Sequence, residues 1–143
     1  MARAGRRDQA PRSGEFRNGM EYLTWGRGAK SLLFVPGGPG SYVPQGVLRG
    51  LFRREFAAYQ KAGYAIWIIT RRRNMPASHT IADMADDYAQ LIAEEFGGRA
   101  DLVVAESFGG MIGQYLAARH PQSFAHIALV VTAAEPSAWG KDV

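Results

Sequence analysis

The sequence predicts an α/β fold, a three-layer α/β/α sandwich around a mostly parallel, doubly wound sheet. Two observations carry this. Four short apolar runs recur along the chain, and none of them alternates apolar with polar residues. Three segments with helical apolar spacing lie between them. Continuous apolar strands belong in sheets covered on both faces, and right-handed crossovers then wind the chain into an open sheet.

The first 17 residues carry five arginines (Arg3, Arg6, Arg7, Arg12, Arg17) against Asp8 and Glu15. They therefore hold +3 of the formal net charge of +4. With few apolar side chains, residues 1–17 read as a basic, disordered tail, and residues 18–143 as one domain. Basicity confined to a tail, without a basic face interleaved with aromatics, predicts no nucleic-acid partner. Met20 to Trp25 partly alternate and precede a Gly-Arg-Gly turn, which predicts an antiparallel edge strand.

The first apolar run is Leu32–Val35. It leads to a helical stripe of Leu48, Leu51, Phe52, Phe56 and Tyr59 that stops at Gly63. The second run is Ala65–Ile69. The helix after it starts at a capping box, Thr80 with Asp83, buries Ile81, Met84, Ala85, Tyr88, Leu91 and Ile92, and ends at Gly97-Gly98. The third run is Leu102–Ala105. Its helix spans about Gly109 to Arg119, buries Met111, Ile112, Tyr115 and Leu116, and stops at His120-Pro121. The fourth run is Ile127–Val131. Asp86-Asp87 and Glu94-Glu95 read as the solvated side of their helix.

Ligands bind at the carboxyl ends of strands in such sheets, and two strand ends carry unusual chemistry. Ala105-Glu106-Ser107-Phe108-Gly109-Gly110 takes the third strand directly into a helix. A serine on that turn presents its hydroxyl at the top of the sheet, beside the positive end of the helix. Small residues two before and two after are needed because strand and helix approach closely there. Gly109 meets that need, and Ala105 adds one methyl. The competing role for Ser107 is a helix N-cap. The first strand ends in Pro36-Gly37-Gly38-Pro39-Gly40-Ser41. Backbone N–H groups there suit a developing oxyanion. Gly38 N–H is one expected donor and Phe108 N–H the other, with Gly37, Gly40 and Gly110 shaping the two turns. Glu106 is expected to support the elbow rather than act as a base. Dinucleotide binding competes for a glycine-rich turn, but Val43 stands where a third glycine belongs. The Walker pattern fails at Ala29.

Both turns, in this order, resemble the α/β-hydrolase fold family, in particular the proline iminopeptidase-like small-molecule hydrolases. Gly37–Gly40 is similar to their H-G-G-P-G turn, with Pro36 where relatives carry His. Arg71-Arg72-Arg73-Asn74 sits where relatives often carry D-x-R-G. Ala117–Pro121 is similar to the end of their elbow helix. The resemblance covers about residues 18–140 and implies a serine hydrolase of small esters, amides or aminoacyl peptides, with no metal or organic cofactor. The triad order it implies is Ser, then an acid, then His. The expected chain is then the N-terminal part of the domain, truncated before the acid and His strands and inactive by itself. Its own histidines are expected to be poor substitutes: His120 lies at the far end of the elbow helix, His126 enters its strand at the bottom, and His79 is a top-face loop residue. Glu135 follows the last strand at the top face. The alternative is a non-catalytic short form that binds or dimerises through the open sheet edge. With no cysteine, no apolar stretch of membrane-spanning length and no signal pattern, a cytoplasmic protein without membrane contact is expected.

Overall fold

The computed structural model describes residues 10–38 and 41–134. Strands β1 (Arg12–Glu15), β2 (Met20–Trp25) and β3 (Lys30–Val35) come first. Helices α1 (Gly46–Glu55) and α2 (Ala57–Lys61) precede β4 (Tyr64–Arg72). Then α3 (Ile81–Glu95), β5 (Ala100–Glu106), α4 (Phe108–Arg119) and β6 (Phe124–Val130) alternate. The six strands form one mixed sheet in the order β1-β2-β4-β3-β5-β6. β3 runs parallel to β4 and β5, and β5 parallel to β6, while β1 and β2 are antiparallel.

The apolar runs are continuous because both faces of the central strands are buried. Leu33, Val35, Ile69, Val103 and Ala105 face one core with α3 and α4. Leu32, Phe34, Ile66, Ile68 and Val104 face a second core with Phe56.

The structure corrects four sequence expectations. β2 is interior rather than an edge strand, because Arg12–Glu15 pairs along its outer side. Order therefore begins before residue 18. The Phe16 ring packs 4.7 Å from Tyr22, and Phe16 and Gly19 close the hairpin, so the cross-strand bonds and ring burial offset the ordering entropy. The first helix is two helices, broken at Phe56. The break drops that ring into a cluster with Phe34 (5.3 Å) and Trp25 (6.4 Å). It leaves Val47 at 82%, Leu48 at 46% and Leu51 at 55% exposure, so much of the apolar stripe of α1 stays open. Asp86 and Asp87 are not merely solvated. Asp86 pairs with Arg119 (3.2 Å) and His120 (2.7 Å), and Asp87 with His79 (2.7 Å) and Arg72 (3.5 Å). Both carboxylates lie where α3 meets neighbouring segments.

The capping box forms as expected. Asp83 N–H donates to Thr80 Oγ1 (3.2 Å), and the Asp83 carboxylate accepts from Thr80 N–H (2.8 Å). Backbone and side-chain bonds from Thr80 hold the Asp83 carboxyl below its usual range. A carboxylate held down in this way stabilises the fold above its unfolded pKa of about 4, and the effect is lost as pH falls through the folded value. Asp83→Asn is therefore expected to melt lower than the native chain at pH 7, with the gap closing as pH falls below the unfolded pKa of about 4. A gap that stays constant across a pH series of melts would refute the charge-based account.

Candidate active site

Val35 of β3 sits opposite Ala105 of β5 in the parallel ladder, so the turns leaving the two strands are neighbours. A methyl on Gly37 would lie 2.8 Å from both Ser107 Cβ and the Glu106 carbonyl oxygen. Only a glycine permits the two turns to meet at that distance.

Ser107 has φ 52° and ψ −119°, a conformation costing about 1–3 kcal/mol for a non-glycine residue. Its backbone is held there by three bonds. Its N–H donates to Val130 C=O (2.9 Å), and its C=O accepts from Gly110 N–H (2.9 Å) and Thr132 Oγ1 (2.7 Å). Ser107 occupies the N-cap position of α4, yet its side chain makes no capping bond. The hydroxyl is exposed at the end of the sheet instead.

The small residues flanking Ser107 each have a physical reason. A methyl on Gly109 would stand 2.3 Å from Val35 O and 2.8 Å from Pro36 O. One on Gly110 would strike the Thr132 side chain at 2.4 Å. Ala105 is tolerated because α4 presents Gly113 over it. A Cβ at 113 would be 2.8 Å from the Ala105 methyl, so the carbon added at one position is absent from the other.

Phe108 is the first residue of α4, and the helix itself offers no acceptor for its N–H. Gly38 has φ +79°. Gly40 and Glu135 lie outside the described residues. A cavity of about 490 Å³ opens over Ser107. Its wall is mostly apolar, including Phe34, Tyr42, Leu48, Phe52 and Ile68, and Gly37, Gly38 and Glu106 also border it. Leu48 and Phe52 of α1 thus form one side of this cavity. Glu106 contributes its main chain to the contact with Gly37, while its side chain makes no hydrogen bond or ion pair among the described residues.

Among the described residues, no hydrogen bond joins Ser107 to any of the histidines. His79 is engaged with Asp87 at 2.7 Å, each side chain 12% exposed. His120 caps the far end of α4, thirteen residues on, and bonds Asp86. Thirteen residues at about 1.5 Å each put it roughly 20 Å away. His126 pairs with Leu102, near the opposite end of β5, and is exposed.

Sequence reasoning passed over two residues at the site. Thr132 carried no signal, since nothing in its neighbours marks it. Arg71 was named only within the Arg71-Arg72-Arg73-Asn74 stretch set against the D-x-R-G loop, with no role of its own at the site. It is 7% exposed, and its Nη2 donates to Gly38 C=O at 2.8 Å. Its guanidinium lies 4.7 Å from the centre of the Phe108 ring. Burial holds its pKa below the ordinary arginine value.

A strand–serine–helix turn and a glycine turn set side by side at the top of a 1-2-4-3-5-6 sheet describe the α/β-hydrolase fold. The family model for the α/β hydrolase fold matches residues 30–143, and the chain belongs to that family. A hydrolase from Pseudomonas aeruginosa superposes with a TM-score of 0.67 at 20% identity, covering 97% of this chain and 51% of that one. A variant of potato epoxide hydrolase superposes with a TM-score of 0.64 at 18% identity, covering 82% of this chain and 38% of that one. RutD of Yersinia enterocolitica, named for carbamate hydrolysis, is 46% identical over 48 residues, 34% of this chain and 17% of RutD. The chain thus spans about half the length of the Pseudomonas hydrolase and less of the other two. At these identities the solved structures establish the fold, and the 48-residue match to RutD adds a hydrolase family member. No helix among the described residues is long and apolar enough to cross a membrane.

Proposed function

We propose that this protein is a serine hydrolase of small esters, amides or aminoacyl peptides, with Ser107 as nucleophile. One observation carries the reading. A serine is kept at φ 52° with its hydroxyl uncommitted and exposed, at the mouth of an apolar cavity. A capping serine would have spent that hydroxyl on the helix.

In this reading Ser107 Oγ attacks the substrate carbonyl carbon while a general base removes its proton. The oxygen of the tetrahedral adduct takes up negative charge between the N–H groups of Gly38 and Phe108. Collapse expels the alcohol or amine, which receives the proton from the base. Water then releases the acid by the same steps in reverse. The apolar wall receives the acyl side chain. Glu106 borders the same cavity, and its carboxylate would suit the ammonium group of an aminoacyl substrate. The base in this reading is a histidine other than His79, His120 and His126, which are each placed or engaged elsewhere. Residues 1–143 alone are accordingly poor catalysts. The β6 edge supports a covering segment. Leu129, Val130 and Val131 are 43%, 40% and 77% exposed there, an apolar strand edge that either further strands of the domain or a second copy would cover.

A fluorophosphonate probe tests this. The full-length protein should be labelled stoichiometrically, with the adduct mapping to Ser107 by peptide mass spectrometry, and residues 1–143 alone should react far more slowly. Labelling at another residue, or none in the full-length protein, would refute the nucleophile. Equally fast labelling of both would refute the missing base.

A further inference from the structure

The three arginines that close β4 and follow it part ways. Arg72 pairs with Asp87 and Arg73 with Glu21, both toward solvent. Arg71 turns inward and touches both turns of the site. Its backbone N–H donates to Ser41 Oγ (2.9 Å), its Nη2 donates to Gly38 C=O (2.8 Å), and its guanidinium covers the Phe108 ring at 4.7 Å. One residue therefore anchors the glycine turn before and after residues 39–40 and packs on the first residue of α4. We infer that Arg71 is a positioning residue that sets the separation and direction of the Gly38 and Phe108 N–H groups. This rests on those two groups being the oxyanion donors, as proposed above.

The need for such an anchor follows from local chemistry. Gly38 has positive φ and, within 4 Å, nothing that a Cβ would meet, so its own sterics leave the peptide free to rotate. Pro36, two residues earlier, has no N–H to tie the turn down. A bond to the Gly38 carbonyl restrains the residue from outside the turn. Only a planar, rigid cation can donate along its plane to a carbonyl while its face rests on an aromatic ring. Lysine offers a point charge and can satisfy one contact at a time.

Three variants of the full-length protein test the inference with p-nitrophenyl butyrate. Arg71→Met should lower kcat about 30-fold with KM within about threefold, since misaligned donors weaken the transition state rather than substrate binding. Arg71→Lys should fall between, about tenfold down. Arg73→Met, which removes a neighbouring exposed charge, should match the native enzyme. Backbone ¹⁵N order parameters at Gly38 and Phe108 should drop in Arg71→Met and stay constant in Arg73→Met. Native kcat in both Arg71 variants, or a raised KM at constant kcat, would overturn the inference. So would unchanged order parameters at both positions. If Arg71→Met fails to fold, Arg71→Lys decides by the same two readouts. Absence of Ser107-dependent hydrolysis in the native protein would instead overturn the functional reading, and the order parameters would then still decide whether Arg71 holds the turn.

Discussion

Ser107→Ala is expected to lower kcat of the full-length protein toward p-nitrophenyl esters by about 10⁴-fold or more, leaving a folded chain. Removal of the hydroxyl removes the covalent route, and only binding and the oxyanion donors continue to act. The fold should survive because all three bonds holding residue 107 are backbone bonds at that residue, from its N–H to Val130 and to its C=O from Gly110 and Thr132. Ser107→Gly sharpens the expectation. It should be equally inactive, yet unfold at a higher urea concentration than Ser107→Ala. Glycine tolerates φ 52° without the strain of about 1–3 kcal/mol, offset in part by its greater unfolded-state entropy. A residual rate within tenfold of the native enzyme in either variant would take Ser107 out of the chemistry.

Gly109→Ala is expected to destabilise the protein by about 3 kcal/mol or more and to abolish activity. The new methyl would sit 2.3 Å from Val35 O and 2.8 Å from Pro36 O. Both obstacles are backbone, so no side chain can rotate aside. Relief requires lifting the start of α4 away from the end of β3, which separates Ser107 and Phe108 from Gly38. Gly50→Ala is the matched control. It lies within α1 with nothing within 4 Å of a Cβ, so the same substitution should stabilise by about 0.5–1 kcal/mol through helix propensity. Urea unfolding of the two variants checks both signs. Equal effects at the two positions would show that α4 and β3 are not in the close contact described.

Much of the fold was legible because its signals are local. The parallel strands are unbroken apolar runs, and the α3 start is a capping box within four residues. The strand–Ser–Gly turn was legible for the same reason, since its geometry is encoded in adjacent residues. Other features depended on distant partners. β1 had no pattern of its own and is ordered only by pairing with β2 and by Phe16 resting on Tyr22. The break at Phe56 arises because the aromatic cluster of Phe34 and Trp25 outweighs continuing a helix. Asp86 and Asp87 looked solvated along their own helix and became partners of His120, Arg119, His79 and Arg72 only once α3 packed.

The sequence by itself determined the α/β class, the alternation of the parallel strands with helices and the two turns where chemistry could reside. Periodicity, caps and glycine spacing are short-range properties of a chain, and they survive without knowledge of what packs where. Tertiary structure alone decided how the turns are held. Thr132 reaches Ser107 across 25 residues, Arg71 reaches Gly38 across 33, and Gly113 makes room for Ala105 from the facing helix. Such contacts form between residues whose separation along the chain carries no signal, because proximity there is set by the sheet register and by helix packing.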